Sequence, residues 1–131
     1  MNKLIFCIPI PPISKKNSQQ ILTNRTTGKP FICPSKQFND YENAALWFIP
    51  KQYKPIDFPV NVECHFYMPT QRKVDLTNLL EAIDDIMVKA GLLSDDNFTV
   101  IQSHDGSRVF YDKKNPRTYV CITKAECADN K

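Results

Sequence analysis

Six carboxylates fall within residues 75–96: Asp75, Glu81, Asp84, Asp85, Asp95 and Asp96, with Lys89 the one cation among them. Carboxylates crowded together repel one another unless protons or a cation neutralise them. Hard divalent cations take oxygen ligands, and Mg²⁺ is usually held by one or two carboxylates, with waters and phosphate completing its shell. A cation so held can polarise a phosphodiester and activate a water for in-line attack. The same residues also have plain readings. Asp75 suits a helix N-terminus through the macrodipole, Asp84 suits a solvated helix face, and Asp95-Asp96-Asn97 suits a turn. Spacing alone leaves both sets of readings open.

The flanks carry the opposite charge. Residues 1–39 hold six Lys or Arg and no acid, and residues 102–124 hold Arg108, Lys113, Lys114, Arg117 and Lys124 against Asp105 and Asp112. The net charge of +3 over 131 residues hides this pattern. Charge runs are commonly solvated surface; an acidic block between two basic ones also fits a polyanion-binding protein with a cation site at its centre. On that reading Lys15, Lys16, Asn17, Arg25 and Lys29, with Arg72 and Lys73 just before Asp75, make salt-sensitive phosphate contacts.

The elements that must position these groups are legible. LIFCIPI (residues 4–10) is a β-rich run closed by Pro11-Pro12, read as a first strand and not a signal peptide. A polar, basic arm follows over about residues 11–34, with Thr27-Gly28-Lys29-Pro30 as a hairpin tip. Residues 35–49 have helical spacing with Ser35 as the cap, and 60–68 alternate as a strand with one buried face. Leu76, Leu79, Leu80, Ile83, Met87 and Ala90 define an amphipathic helix from about Asp75 to Lys89, stopped by Gly91. Asn78, Glu81 and Asp85 lie off its apolar stripe. Three short strands, FTVIQS, SRVFYD and RTYVCIT, come next, and a frayed tail starts at about Ala125. The predicted fold is α+β, a two-layer domain with one mixed sheet and helices on one face. If the strand after Asp95-Asp96 returns beside 60–68, both acidic clusters meet at one edge of the sheet.

Length suits a single domain over 1–131. No apolar run reaches membrane-spanning length, so no membrane partner is expected. Five scattered cysteines without a C-x-x-C pair argue against zinc and suit reduced thiols in the cytoplasm. No EF-hand loop, P-loop or dinucleotide fingerprint is present. His65 and His104 read as structural, and Phe38, Trp47 and Phe48 as core or dimer packing.

The stretch VDLTNLLEAIDDIMVKAGLLSDDNF (residues 74–98) resembles the RusA family of Holliday junction resolvases in its D-L-x-N-L helix opening, Asp85, K-A-G and D-D pair. The opening I-P-I-P-P-I-S-K-K-N (residues 8–17) is similar to the family's first strand and basic loop. The resemblance covers roughly residues 4–123. It implies a homodimeric, Mg²⁺-dependent endonuclease, with Mn²⁺ as a substitute, that nicks branched DNA in pairs during recombination and repair; such proteins are common in phages. It further implies that Asp75 and Asp96, with Asp95 beside it, are the catalytic, metal-holding acids.

Two departures stand out. The family pattern D-L-D-N has Thr77 in its second acidic place, and Glu81 stands where a Lys is frequent. Glu81 or Asp85 is expected to supply the missing oxygen. Lys15, Lys16, Lys73 and Lys89 are the candidates for the missing cation, and Lys15, Lys16, Asn17, Arg72, Lys73 and Lys89 are the candidate DNA contacts. The alternative is a DNA-binding module on the same fold with an impaired metal site.

Overall fold

A computed structural model describes residues 3–15 and 19–125, with backbone only for 19–22 and 31–34. The expected contacts Lys16 and Asn17 and the expected tail beyond Ala125 lie outside the described residues.

The predicted α+β architecture is observed. Strands β1 (Lys3–Ile8), β4 (Val60–Met68), β5 (Ile101–Ser103), β6 (Arg108–Tyr111) and β7 (Arg117–Lys124) form one mixed sheet. β7 lies between β1 and β4 and is antiparallel to both, while β5 and β6 run parallel to β4 on its other side. Helices α1 (Lys36–Ala45) and α2 (Leu76–Lys89) supply the second layer. The basic arm is more ordered than a loop: β2 (Gln19–Thr23) and β3 (Pro30–Pro34) pair as a hairpin whose turn carries Gly28 at φ 73°.

The alternation in β4 does what its spacing predicts. Val60, Val62, Cys64 and Phe66 are buried, and Asn61, Glu63, His65 and Tyr67 face the other way. The core closes over them with Leu79, Ile83, Ile86 and Met87 from α2 and Phe38, Tyr41 and Ala45 from α1. Ser35 caps α1 by accepting from the Phe38 N–H at 3.2 Å. Of the three aromatics read as core or dimer packing, Phe38 is in the core, while Trp47 and Phe48 are outside it, Trp47 at 88% exposed.

Gly91 ends α2 at φ 82°. The Leu92 N–H reaches the Met87 carbonyl at 3.1 Å and the Gly91 N–H reaches that of Val88 at 3.0 Å, the paired bonds of a Schellman cap. The chain leaves that cap toward β5, whose Ile101 pairs with Val60 at the start of β4.

Residues 104–107 interrupt the edge between β5 and β6. Side chains replace the lost ladder bonds there. Ser107 Oγ accepts from the Cys64 N–H at 3.0 Å, and His104 Nδ1 lies 2.8 Å from the Val62 carbonyl.

Candidate functional site

The parallel pairing decides where the acids go. Asp75 follows β4 and is the N-cap of α2; α2 then runs back along the sheet, and Asp95-Asp96 precede β5 at the start of β4. The expectation that both acidic clusters meet at one sheet edge is therefore overturned within one chain. That meeting needs the returning strand to run antiparallel to β4. Asp85 stands ten positions beyond Asp75 along α2, a rise of about 15 Å.

At the far end of α2 a cluster does form. Partial burial and the adjoining Asp85 and Asp95 carboxylates raise Asp96 above the ordinary carboxylate range, while its own backbone N–H pulls it back down. That N–H donates to Asp95 Oδ1 at 2.7 Å, so the Asp pair is also a local turn. Lys15 Nζ stands 3.4 Å from Asp85 Oδ2 and 5.7 Å from the Phe38 ring centre. Among the described residues, Lys15 is the candidate cation brought to it. Lys89 is paired at 2.7 Å with Glu42 on α1. Glu81 is exposed one turn before Asp85 and is engaged in contacts of its own.

At the near end Asp75 Oδ2 accepts from Asn78 Nδ2 at 3.3 Å, and Thr77 is exposed beside it. Arg72 and Lys73, both exposed, line a groove of about 280 Å³ with Pro11, Pro12 and Ser14. Lys15, the residue after Ser14, reaches the opposite cluster, so the N-terminal segment connects the two ends of α2.

Asp84 differs from its plain reading. It is 8% exposed, not a solvated helix residue. Its Oδ2 lies 2.8 Å from His104 Nε2, while its Oδ1 is buried without a partner among the described residues. Burial raises Asp84 above the usual carboxylate range against the pull of His104. For His104, burial opposes the charge, but the Asp84 hydrogen bond and charge and the Val62 carbonyl outweigh it and raise the imidazole. The sequence places Asp105 next to His104. The structural partner is 20 residues away, and no local pattern encodes it.

Among the described residues, no three His, Cys, Asp or Glu side chains are gathered so as to hold a metal ion by themselves. Asp85 and Asp95 do lie close enough to Asp96 to raise its carboxyl, after burial, and all three offer oxygen alone. Such a set fits Mg²⁺, which keeps several waters and needs few protein ligands. It does not fit zinc, which prefers nitrogen and sulfur.

Comparison with known proteins agrees with the sequence motifs. The family described as Endodeoxyribonuclease RusA matches residues 9–123. A crossover junction endodeoxyribonuclease RusA from Aquifex aeolicus (strain VF5) is 35% identical over 72 residues, covering 53% of this chain and 56% of that protein. The match thus spans little more than half the length of that relative. The family match takes in β4, α2, the Asp95-Asp96 pair and most of β7. The chain belongs to the RusA endodeoxyribonuclease family.

Proposed function

We propose that this chain is a divalent-cation-dependent endonuclease that resolves four-way DNA junctions, working as a homodimer in DNA recombination and repair in the cytoplasm, with residues 1–131 as one nuclease domain. The observation that carries this reading is the RusA family match over residues 9–123, with Asp85 and Asp95 beside Asp96 and Lys15 3.4 Å from Asp85. Carboxylates held together at a cost in repulsion call for a cation.

Asp96 and Asp85, with Asp95, would hold Mg²⁺ or Mn²⁺. Once bound, the cation supplies charge stabilisation at the scissile phosphate and activates water. Lys15 is placed to meet phosphate oxygens beside the acids. Arg72 and Lys73 border the groove at the Asp75 end and suit contact with a second stretch of backbone. The buried Asp84–His104 pair ties α2 to β4 and so fixes the position of Asp85.

Asp75 is about 15 Å of helix from Asp85 and does not complete that set within one chain. A two-fold dimer offers an isologous contact in which Asp75 of each protomer approaches the other protomer's Asp96. It also gives two sites for paired nicks. The second reading is a junction-binding module that does not cut. Thr77, exposed where the family carries an acid, favours it.

Cleavage of a synthetic four-way junction, beside linear duplex of the same sequence, tests the proposal. The reaction is run with and without Mg²⁺ or Mn²⁺, with Asp96→Asn alongside. Symmetric, metal-dependent nicking of the junction, lost in the variant, is expected. Junction binding without cutting in either metal would replace the nuclease with the binding module.

A further inference from the structure

The helices cover one face of the sheet; the opposite face carries an aromatic and cationic cluster. His65 and Tyr67 on β4 sit between Phe110 on β6 and Arg117 and Tyr119 on β7. Phe110 stacks on Tyr67 with ring centres 4.9 Å apart and planes at 16°. The Arg117 guanidinium lies 3.7 Å over the Tyr67 ring. Its Nη1 donates to Asp112 Oδ2 at 3.0 Å and to the Asn115 carbonyl at 2.9 Å. His65 bridges the cluster, 5.6 Å from the Phe110 ring and 5.4 Å from that of Tyr119. Phe110 remains 38% exposed and the Arg117 side chain 27%.

Arg117 is fixed by a ring beneath it and two acceptors beside it, so its plane is held ready at no further entropic cost. Aromatic rings and guanidinium planes are the surfaces on which unpaired bases stack.

The surrounding charge points to the same occupant. Two acids near the cluster have partners there, Glu63 beside His65 at 2.7 Å and Asp112 with Arg117 at 3.0 Å, and Asp105 is exposed between β5 and β6. Arg108, Lys113 and Lys114 are exposed, and among the described residues none has an ion-pair partner. Lys113 and Lys114 lie between β6 and β7, next to Arg117. The patch is thus stacking surface edged at the β6–β7 turn by Lys113 and Lys114, which are complementary to a phosphate backbone there. A second copy of this chain fits it less well. A two-fold contact sets each patch against itself and brings these cations toward like charges.

We propose that the uncovered face of β4, β6 and β7 is a second nucleic-acid surface, which stacks the unpaired bases of a single-stranded segment while Lys113 and Lys114 hold its phosphates. The proposal rests on the reading of the chain as a DNA-acting protein, but not on the acidic cluster. It places unpaired strand, such as the opened centre of a branched substrate, on the side of the sheet away from α2.

The test is fluorescence anisotropy with a labelled 12-nucleotide thymidine oligomer and a blunt duplex of equal length, in EDTA without divalent cations. The oligomer is expected to bind more tightly than the duplex. Phe110→Ala is expected to weaken oligomer binding at least about 5-fold, the loss of one stacked base, and to leave the duplex little changed. Lys113→Gln with Lys114→Gln is expected to lower the salt slope of oligomer binding by about 1.4, as for two released phosphate contacts on a single strand. Unchanged oligomer affinity in Phe110→Ala and in the double Lys variant overturns the proposal. So does a sedimenting dimer that Phe110→Ala converts to monomer, which would make this face an interface between copies. Should Phe110→Ala fail to fold, the double Lys variant decides by itself. Because no metal is present, failure of junction cleavage with these results intact sinks the nuclease reading alone. Cleavage with no oligomer binding sinks this one alone.

Discussion

His104 and Asp84 meet at 2.8 Å beneath the break in the edge strand, with the Val62 carbonyl 2.8 Å from the other ring nitrogen. Both ring nitrogens face oxygen acceptors, an arrangement that the doubly protonated imidazolium satisfies with its two N–H donors. Asp84→Ala strips a buried partner from His104 and is expected to cost about 2–4 kcal/mol of stability at neutral pH. Urea unfolding checks this, and a loss under 0.5 kcal/mol, the size of an ordinary surface change, would remove the pair from the account of the fold.

The same pair gives the protein a pH-dependent stability of defined sign. The folded pKa of His104 is raised above its ordinary 6.5. The charged pair's stabilisation is therefore complete just below pH 6.5, where Asp84 is still ionised, and is lost as pH rises through the folded value. Urea midpoints measured upward from pH 6 should fall in the wild type, and the fall should flatten in His104→Gln. An equal slope in both would assign the dependence to another group.

Two glycines separate backbone strain from steric clash. Gly91 and Gly106 both have positive φ, 82° and 89°. A Cβ at Gly91 meets nothing within 4 Å, whereas one at Gly106 falls 2.9 Å from Glu63 Cδ. Gly91→Ala is expected to cost about 1–2 kcal/mol through the left-handed conformation alone. Gly106→Ala is expected to cost more, and to disturb the Glu63–His65 pair as well. Chemical denaturation of the two variants side by side checks the order; equal losses would mean that Glu63 moves aside freely.

What the sequence disclosed follows from which interactions are local. The β4 alternation and the α2 periodicity report a buried face directly, and Gly91 marks the end of α2 because the cap needs positive φ. The direction of β5 is not a local property. The run FTVIQS reads as a strand in either orientation, and orientation decided that Asp75 and Asp96 fall at opposite ends of α2. Asp84 was opaque for a similar reason. Adjacent to Asp85 on a charged helix, it has the pattern of a solvated residue, and its burial comes from His104, delivered by a strand break. Of the two readings of Trp47, core or dimer packing, its 88% exposure removes the core.

The separation of Asp75 from Asp96 makes subunit mixing decisive. If each site takes Asp75 from one protomer and Asp96 from the other, Asp75→Asn and Asp96→Asn dimers are each inactive. Mixed dimers then carry one intact and one doubly defective site. Random mixing of equal amounts should recover nicking of single strands, at about one quarter of the wild-type site count. Sites built within one chain would give no recovery, since every site in the mixture then carries one substitution.

Thr77 tests how far this chain has departed from its family. It is exposed in the first turn of α2, next to Asp75, and a hydroxyl is a poorer Mg²⁺ ligand than a carboxylate. Thr77→Asp adds a carboxylate where the helix dipole favours one, worth about 0.5 kcal/mol of stability without metal. It also adds a carboxylate oxygen beside Asp75. The variant should therefore be slightly more stable than wild type in EDTA. It should gain still more from added Mg²⁺, because a ligand that binds only the folded state raises stability in proportion to its occupancy. Melting in a Mg²⁺ titration separates the two contributions. A gain in EDTA with no added response to Mg²⁺ would mean that Asp75 serves the helix terminus alone, leaving cation binding to Asp85, Asp95 and Asp96.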